Sequence, residues 1–254
     1  MSGKVIIEKY GPVKTVWMNR PEKRNALDSE LLGDMIEALQ APVAADDRVV
    51  VIRGKGDVFC AGLDMAERSK TAGAGKASGI EIMLRAVELC PLPVVAVVQG
   101  DAIAGGNELA LHCDLVVASQ KASFGMSLAQ VGLAPNWFLG KKLMEVLGPV
   151  TTREMLLLGD PLPSTKLHAL GLIARCVPHE ALEAEADKVI GRLAANAPLS
   201  LKAMKALTVR QLEVRDHLKH DDVDALVVAA MQSSDAQEGM KARLEKRTAK
   251  FTGK

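Results

Sequence analysis

Aromatic side chains are scarce: four Phe, two Trp and one Tyr in 254 residues. A surface that stacks nucleobases needs such rings, so the composition argues against nucleic-acid binding. Neither sign of charge dominates, with 32 Lys and Arg against 31 Asp and Glu. There is no global basic field to recruit nucleic acid or an acidic membrane. Apolar runs are too short to cross a bilayer as a helix. The four cysteines, Cys60, Cys90, Cys113 and Cys176, are far apart in apolar stretches. They read as reduced core thiols, not as a disulfide frame. No Cys/His group has metal-ligand spacing, so no metal site is expected. The residues after Met1 lack the apolar segment of a signal peptide and lead into a strand-like stretch, which predicts a cytoplasmic protein.

What the chain does have is apolar runs separated by amphipathic stretches. Val13 to Trp17, Val49 to Arg53, Val94 to Gln99 and Leu115 to Ala118 read as strands. The second and third are apolar almost throughout, as strands covered on both faces are. A helix opens after Asp28, a good N-cap, with Glu30 just inside. Another spans Gly79 to Leu89 and is ended by Pro91 and Pro93. This alternation predicts βαβ units and a largely parallel sheet, the α/β class. After about residue 137 helical patterns take over: Thr151 to Leu158, Pro178 to Ala195, Leu199 to Leu212 and Asp216 to Met231, with no strong strand. The expectation is a core over residues 1–195 and a helical region over 196–254 that packs on it or on a neighbouring subunit. Residues 69–79 hold Gly, Ala and Lys without periodicity and read as a mobile loop. Gly75-Lys76 is no phosphate-binding loop. Lys70 stands at the first glycine's place and Ala77 where Ser or Thr would be needed.

Two segments carry candidate chemistry. Phe59-Cys60-Ala61-Gly62-Leu63-Asp64-Met65 follows a strand and a Gly-containing turn, and small residues there let backbone approach a ligand. Gly100 to Leu111 follows a buried strand and opens a helix, whose first N–H groups are unpaired and lie at the positive end of the dipole. It is not the G-x-G-x-x-G dinucleotide fingerprint. Each turn alone is ordinary. Together they can aim N–H groups at one oxygen, with Glu108 three residues beyond the second donor. Proton abstraction α to a thioester, or addition of water at its β-carbon, builds negative charge on the thioester oxygen. Preorganised donors stabilise such charge by about 3 kcal/mol each.

At these residues the sequence resembles the crotonase superfamily, the enoyl-CoA hydratase/isomerase group. The resemblance extends along almost the whole chain. It rests on Met18 to Leu27, Phe59 to Met65, Ala104 to Asp114, Ala122 to Gly125 with Gly132 to Pro135, and Glu245-Lys246-Arg247 with Phe251. It implies a spiral of repeated β-β-α units with a C-terminal helical extension, assembled as a homotrimer or a hexamer of two trimers. It also implies an acyl-CoA substrate, with coenzyme A entering as part of the thioester and no permanently bound cofactor. Leu63 and Gly105 match the oxyanion donors and Glu108 the first catalytic glutamate. Lys23, Arg24 and Ala26 match the pantetheine and phosphate path, and Ala61, Asp64 and Met65 the adenine pocket. Gly106 belongs to the second oxyanion turn. Lys246 and Phe251 reach toward coenzyme A in a neighbouring subunit.

The departures bear on the reaction. Family hydratases carry a second glutamate three residues after Phe124-Gly125, where this chain has Leu128. Simple enoyl-CoA isomerases generally keep it too. Dienoyl-CoA isomerases use a further acid where this chain has Asn136, which does not titrate. Trp137 beside it can wall the acyl pocket. Gln130 and His112, a turn after Glu108, are further polar neighbours. The leading expectation is a hydratase-like lyase in fatty acid metabolism with Glu108 as its lone acid and base. The alternatives are a non-catalytic acyl-CoA binder and a CoA-ester isomerase, racemase, decarboxylase or hydrolase sharing the same enolate stabilisation.

Overall fold

The computed structural model describes residues 3–67 and 79–253. Six strands form the main sheet: β1 (Val5–Tyr10), β2 (Val13–Met18), β3 (Val49–Gly54), β4 (Val94–Val98), β6 (Leu115–Ser119) and β9 (Arg175–Val177), in that spatial order. β1 and β2 form an antiparallel hairpin; every later pairing is parallel. Three short strands, β5 (Ala102–Ile103), β7 (Ser123–Gly125) and β8 (Leu162–Pro163), form a second sheet.

The central strands are buried at every position. Their side chains alternate between two cores, as the two-residue pleat requires. Val50, Ile52, Val94, Ala96 and Val98 face the main core. That core also holds α1 (Ser29–Gln40), α2 (Gly79–Leu89) and α3 (Gly105–His112). Val49, Val51, Val95, Val97 and Val117 face Leu182, Ala186 and Ile190 of α6 (Leu182–Ala195). The Asp28 carboxylate accepts from Leu31 N and caps α1 as its sequence predicts.

Past residue 137 the pattern is less regular than expected. α4 runs Trp137–Arg153 across a kink at Gly148-Pro149, where the expected helix began only at Thr151. Glu154–Leu158 continues with the wider π pitch. α5 (Ser164–Ala169) follows β8, and the region contains the strands β8 and β9 where none was expected. α7 (Pro198–Leu212) matches its expected span. The expected helix at Asp216 to Met231 is split into a 3-10 turn, Glu213–His217, and α8, Asp221–Gln232. Three acidic residues in α8's first turn favour a start there, against the positive end of the dipole.

The last helix, α9 (Ser234–Leu244), was not anticipated. Its buried face is Ala236, Gly239 and Ala242, too small to register as an apolar stripe. Those small residues let it lie against residues 129–131. A Cβ on Gly239 would sit 2.4–2.6 Å from Val131 backbone atoms. Gly132, at φ +70°, abuts the backbone of Asp235 and Ala236 just as closely.

This packing makes Gly239→Ala destabilising by about 1–3 kcal/mol, because backbone cannot yield as a flexible side chain can. Gly191→Ala is the control. That glycine lies inside α6 with open space at its Cβ, so alanine there stabilises by about 0.5–1 kcal/mol. Urea unfolding of the two variants should move in opposite directions from wild type.

Candidate active site

The first turn is held by residues 20–27. Asn25 is fully buried at φ +53°. Its amide nitrogen lies 2.9, 2.8 and 3.2 Å from the carbonyls of Lys55, Val58 and Phe59. Its amide oxygen accepts from Arg20 N at 2.9 Å. The Arg20 guanidinium donates to Ala26 O at 2.5 Å and pairs with Asp28 at 3.1 Å and Asp64 at 3.2 Å. Backbone bonds from Leu27 N to Gly62 O, from Asp64 N to Leu27 O and from Ala61 N to Arg24 O join the two segments. Gly62 itself is at φ +88°.

The second turn docks onto the first. Cys60 N donates to Asp101 O, and Ile103 N donates to Cys60 O. Ala104 N donates to Gly125 O on β7. Ala104 has φ 49° and ψ −114°, a strained conformation for a residue with a side chain. α3 starts immediately after it. A Cβ on Gly106 would lie 2.1 Å from Cys60 O. A Cβ on Gly62 would lie 3.1 Å from Gly105 N, and one on Gly105 would lie 3.5 Å from Gly62 Cα. The turns therefore meet glycine to glycine.

Of the backbone donors around this contact, those of Cys60, Ala61, Asp64, Ile103, Ala104 and Glu108 have acceptors, while the first-turn donors of Gly106 and Asn107 have no backbone acceptor among the described residues. Among the described residues the N–H groups of Leu63 and Gly105 have none. Glu108 is fully buried, and neither carboxyl oxygen has a hydrogen-bond partner among the described residues. Burial pushes its carboxyl well above the usual carboxylate range, against the opposing charge of Lys142. His112 is also buried. Its Nδ1 donates to Glu108 O at 2.8 Å and lies 3.7 Å from Glu108 Oε2. Nε2 is then the bare nitrogen, and it has no partner among the described residues. Burial, reinforced by Lys142, lowers the imidazole to about 3, so the ring is neutral. It stacks on Phe138, with centroids 5.3 Å apart.

The other candidates fall into separate places. Lys23 and Arg24 are exposed on the 20–27 segment, and Arg24 reaches Asp101 at 3.4 Å. Ala26 and Asp64 are both held by Arg20, and Ala61 is bonded to Arg24. Met65 begins a helical turn that leads into undescribed residues. The loop expected at 69–79 lies outside the described residues except for Gly79, which opens α2. Leu128 is half-buried between the main core and a small cluster of Val131, Leu133 and Ala236. Asn136 caps α4, accepting from Leu139 N at 3.0 Å and donating to Glu81 at 2.7 Å. Trp137 stacks on His220 at 4.5 Å, and its indole donates to Arg215 O. Gln130 donates to Leu158 O and Asp160. Lys246 is exposed. Phe251 lines a groove of about 520 Å³ with Ala129, Gly132, Ser233 and Asp235; Leu63, Gly105 and Glu108 do not line it. Asn25, Arg20 and Ala104 were not singled out from sequence. For Asn25 the signal lay in its place within the Met18 to Leu27 block; nothing in the sequence marked the strain at Ala104.

What such a site can do is support negative charge on a carbonyl oxygen while one carboxyl moves a proton beside it, the equipment of enzymes that pass through an enolate. The chain belongs to the enoyl-CoA hydratase/isomerase family, which its residues 8–254 match, and its fold is the crotonase fold. Crotonyl-CoA hydratase of Syntrophomonas wolfei is 31% identical, with 98% of each chain covered. The crystal structure of an enoyl-CoA hydratase from Mycobacterium avium subsp. paratuberculosis superposes with a TM-score of 0.84 at 31% identity, over 98% of both chains. Methylmalonyl-CoA decarboxylase complexed with 2S-carboxypropyl CoA superposes with a TM-score of 0.92 at 25% identity, over 99% of this chain and 98% of that one.

The neutral His112 has a measurable consequence. Its contribution to stability is intact above the unfolded value of 6.5. As pH falls from there toward about 3, the unfolded chain takes up a proton that the folded one does not. His112→Leu should therefore lose less stability than wild type over that window, measured as the urea midpoint against pH.

Proposed function

We propose that the protein is an acyl-CoA hydro-lyase of the enoyl-CoA hydratase type, with Glu108 as its lone acid and base. The observation that supports this is the buried, unpartnered carboxyl of Glu108, in the first turn of the helix that Gly105 opens, together with the N–H groups of Leu63 and Gly105, on either side of the glycine contact, which have no acceptor among the described residues. In hydration, ionised Glu108 takes a proton from water as the oxygen bonds to the β-carbon. The C=C electrons shift onto the thioester oxygen, where the two N–H groups hold the charge. The same carboxyl then returns its proton to the α-carbon as the enolate collapses. One group serves both steps because it ends as it began.

On this reading coenzyme A arrives with the substrate and lies along Lys23, Arg24, Ala26, Ala61, Asp64 and Met65. Gly106 allows the close approach, while Leu128, Asn136 and Trp137 shape the acyl end. The assembly is a homotrimer or a hexamer, in which Lys246 and Phe251 serve a neighbour's coenzyme A. Apolar side chains exposed on the C-terminal helical segments support it: Leu199 is 80% and Leu226 72% exposed in the single chain. The same reading places the protein in the cytoplasm and in fatty acid metabolism.

A second reading, decarboxylation, is favoured by the apolar Leu128. Loss of CO₂ leaves its electron pair as the enolate without any base. Neutral Glu108 then needs only to donate a proton to the α-carbon.

Crotonyl-CoA turnover, followed as loss of enoyl absorbance, tests the first reading. Glu108→Gln should lower kcat/KM by about 10²–10⁴. The pH profile separates the two reactions. Hydration needs ionised Glu108 and rises with pH through its raised pKa; decarboxylation of a malonyl-type CoA ester needs the neutral acid and falls. Tight acyl-CoA binding with no turnover of enoyl, dienoyl or malonyl-type esters would leave a binding protein instead. Leu128→Glu should raise hydration, and no effect would remove position 128 as the place of the missing acid.

A further inference from the structure

Beside Glu108, three helices bring together buried charges that the proposed reaction does not use. α3 presents Glu108 and His112, one turn apart on one face. α4 presents Phe138, stacked on His112, and Lys142 one turn further along. Lys142 is only 7% exposed. Its ammonium lies 2.7 Å from Glu88 Oε1 on α2 and 3.3 Å from Glu145 Oε2 on its own helix.

The remaining charges at this junction are already paired with one another. Lys141 lies 2.5 Å from Asp216 and 3.6 Å from Glu145. Arg85 on α2 lies 3.3 Å from Glu88 and 3.7 Å from Asp216. Lys205 on α7 reaches Asp114 at 2.7 Å and the carbonyls of Val87 and Leu92. Glu81 on α2 accepts from Asn136. His112 is neutral.

A buried ion pair is a weak way to stabilise a fold, since desolvation offsets most of the attraction. A fixed charge in the same setting acts strongly on its neighbours. We propose that Lys142 is a positioning residue of the candidate site, holding a fixed positive charge near Glu108 so that the buried carboxyl can still ionise. Glu88 and Glu145 keep the ammonium in place and are themselves held by it. Burial alone would raise Glu88, yet Lys142 brings its carboxyl below the usual range. Lys142 is likewise the one charge that opposes burial at Glu108. The functional meaning of this arrangement rests on Glu108 being the acid and base, but its effect on Glu108 does not.

The test reads Glu108 directly, without substrate. Infrared difference spectra across pH, with Glu108→Gln as the blank, give the midpoint at which the protonated carboxyl signal disappears. Lys142→Met should raise that midpoint by about one pH unit. Lys142→Arg, which keeps the charge, should leave it near wild type. Lys142→Met leaves Glu88 without its closest partner and can fail to fold, so the double variant Lys142→Met/Glu88→Gln is measured beside it. It removes both charges and should still shift the midpoint upward, but by less than Lys142→Met, because the opposing charge of Glu88 is lost as well. An unmoved midpoint in whichever of these variants folds, or an equal shift in Lys142→Arg, overturns the proposal. The pH profile of crotonyl-CoA turnover should move with the spectroscopic midpoint. A midpoint that moves without the rate profile leaves Lys142's role standing and removes Glu108 as the acid and base.

Discussion

Two backbone turns touch where no side chain fits, and the candidate site depends on that contact. A single methyl group at Gly106 would overlap Cys60 O, and one at Gly62 would press on Ile103 O. Only glycine permits both the positive φ at Gly62 and this separation. Among the described residues, Leu63 N and Gly105 N, on either side of the contact, have no acceptors, whereas the N–H groups of Cys60, Ala61, Asp64, Ile103 and Ala104 are paired. Such a contact needs rigid support from behind. Asn25 ties three carbonyls of the first turn to the 20–27 segment, and Ala104 is held in its strained conformation by bonds to Gly125 O and from Glu108 N. The strain at Ala104 sits where a strand must become a helix within one residue.

The same packing buries Glu108. An isolated ionised carboxylate in an apolar interior is costly, and the ordinary outcome is a proton retained to higher pH. Here the neighbouring imidazole cannot relieve it. The His112 Nδ1 proton is directed to the Glu108 backbone carbonyl, and the ring stays neutral. The acid therefore has a neutral ring at 3.7 Å, and the lysine whose charge opposes its burial is held by two other carboxylates. Its readiness to exchange a proton is a property of three helices, not of Glu108 alone.

The parallel core was legible because its strands are runs of Val, Ile and Ala bounded by turns, and the observed strands match them to within a residue or two. The helix cap at Asp28 was legible for the same reason, a local chemical rule. What escaped was structure held by small residues or by distant partners. α9 packs through Ala236, Gly239 and Ala242, which carry no hydrophobic periodicity. β8 and β9 are two and three residues long and exist because neighbouring strands offer free edges. Of the candidate site, Leu63, Gly105 and Glu108 stand out in the sequence as a glycine pattern with a carboxylate. The charges around Lys142 do not, because they come together only where Gly79–Leu89, Gly105–His112 and Trp137–Arg153 pack on one another.

Leu128 connects the chemistry to that packing. Where the family pattern has a second carboxylate, this side chain bridges the main core and the cluster of Val131, Leu133 and Ala236. That cluster joins α9 to the body of the protein, alongside the close contact of Gly239 with Val131. A carboxylate at 128 would put charge into an apolar junction and would need a partner there or a raised pKa. The apolar residue instead strengthens the attachment of the C-terminal helix. On the proposed reading the proton chemistry then falls to Glu108, and its environment, full burial opposed by one lysine, suits a group that must both give and accept a proton.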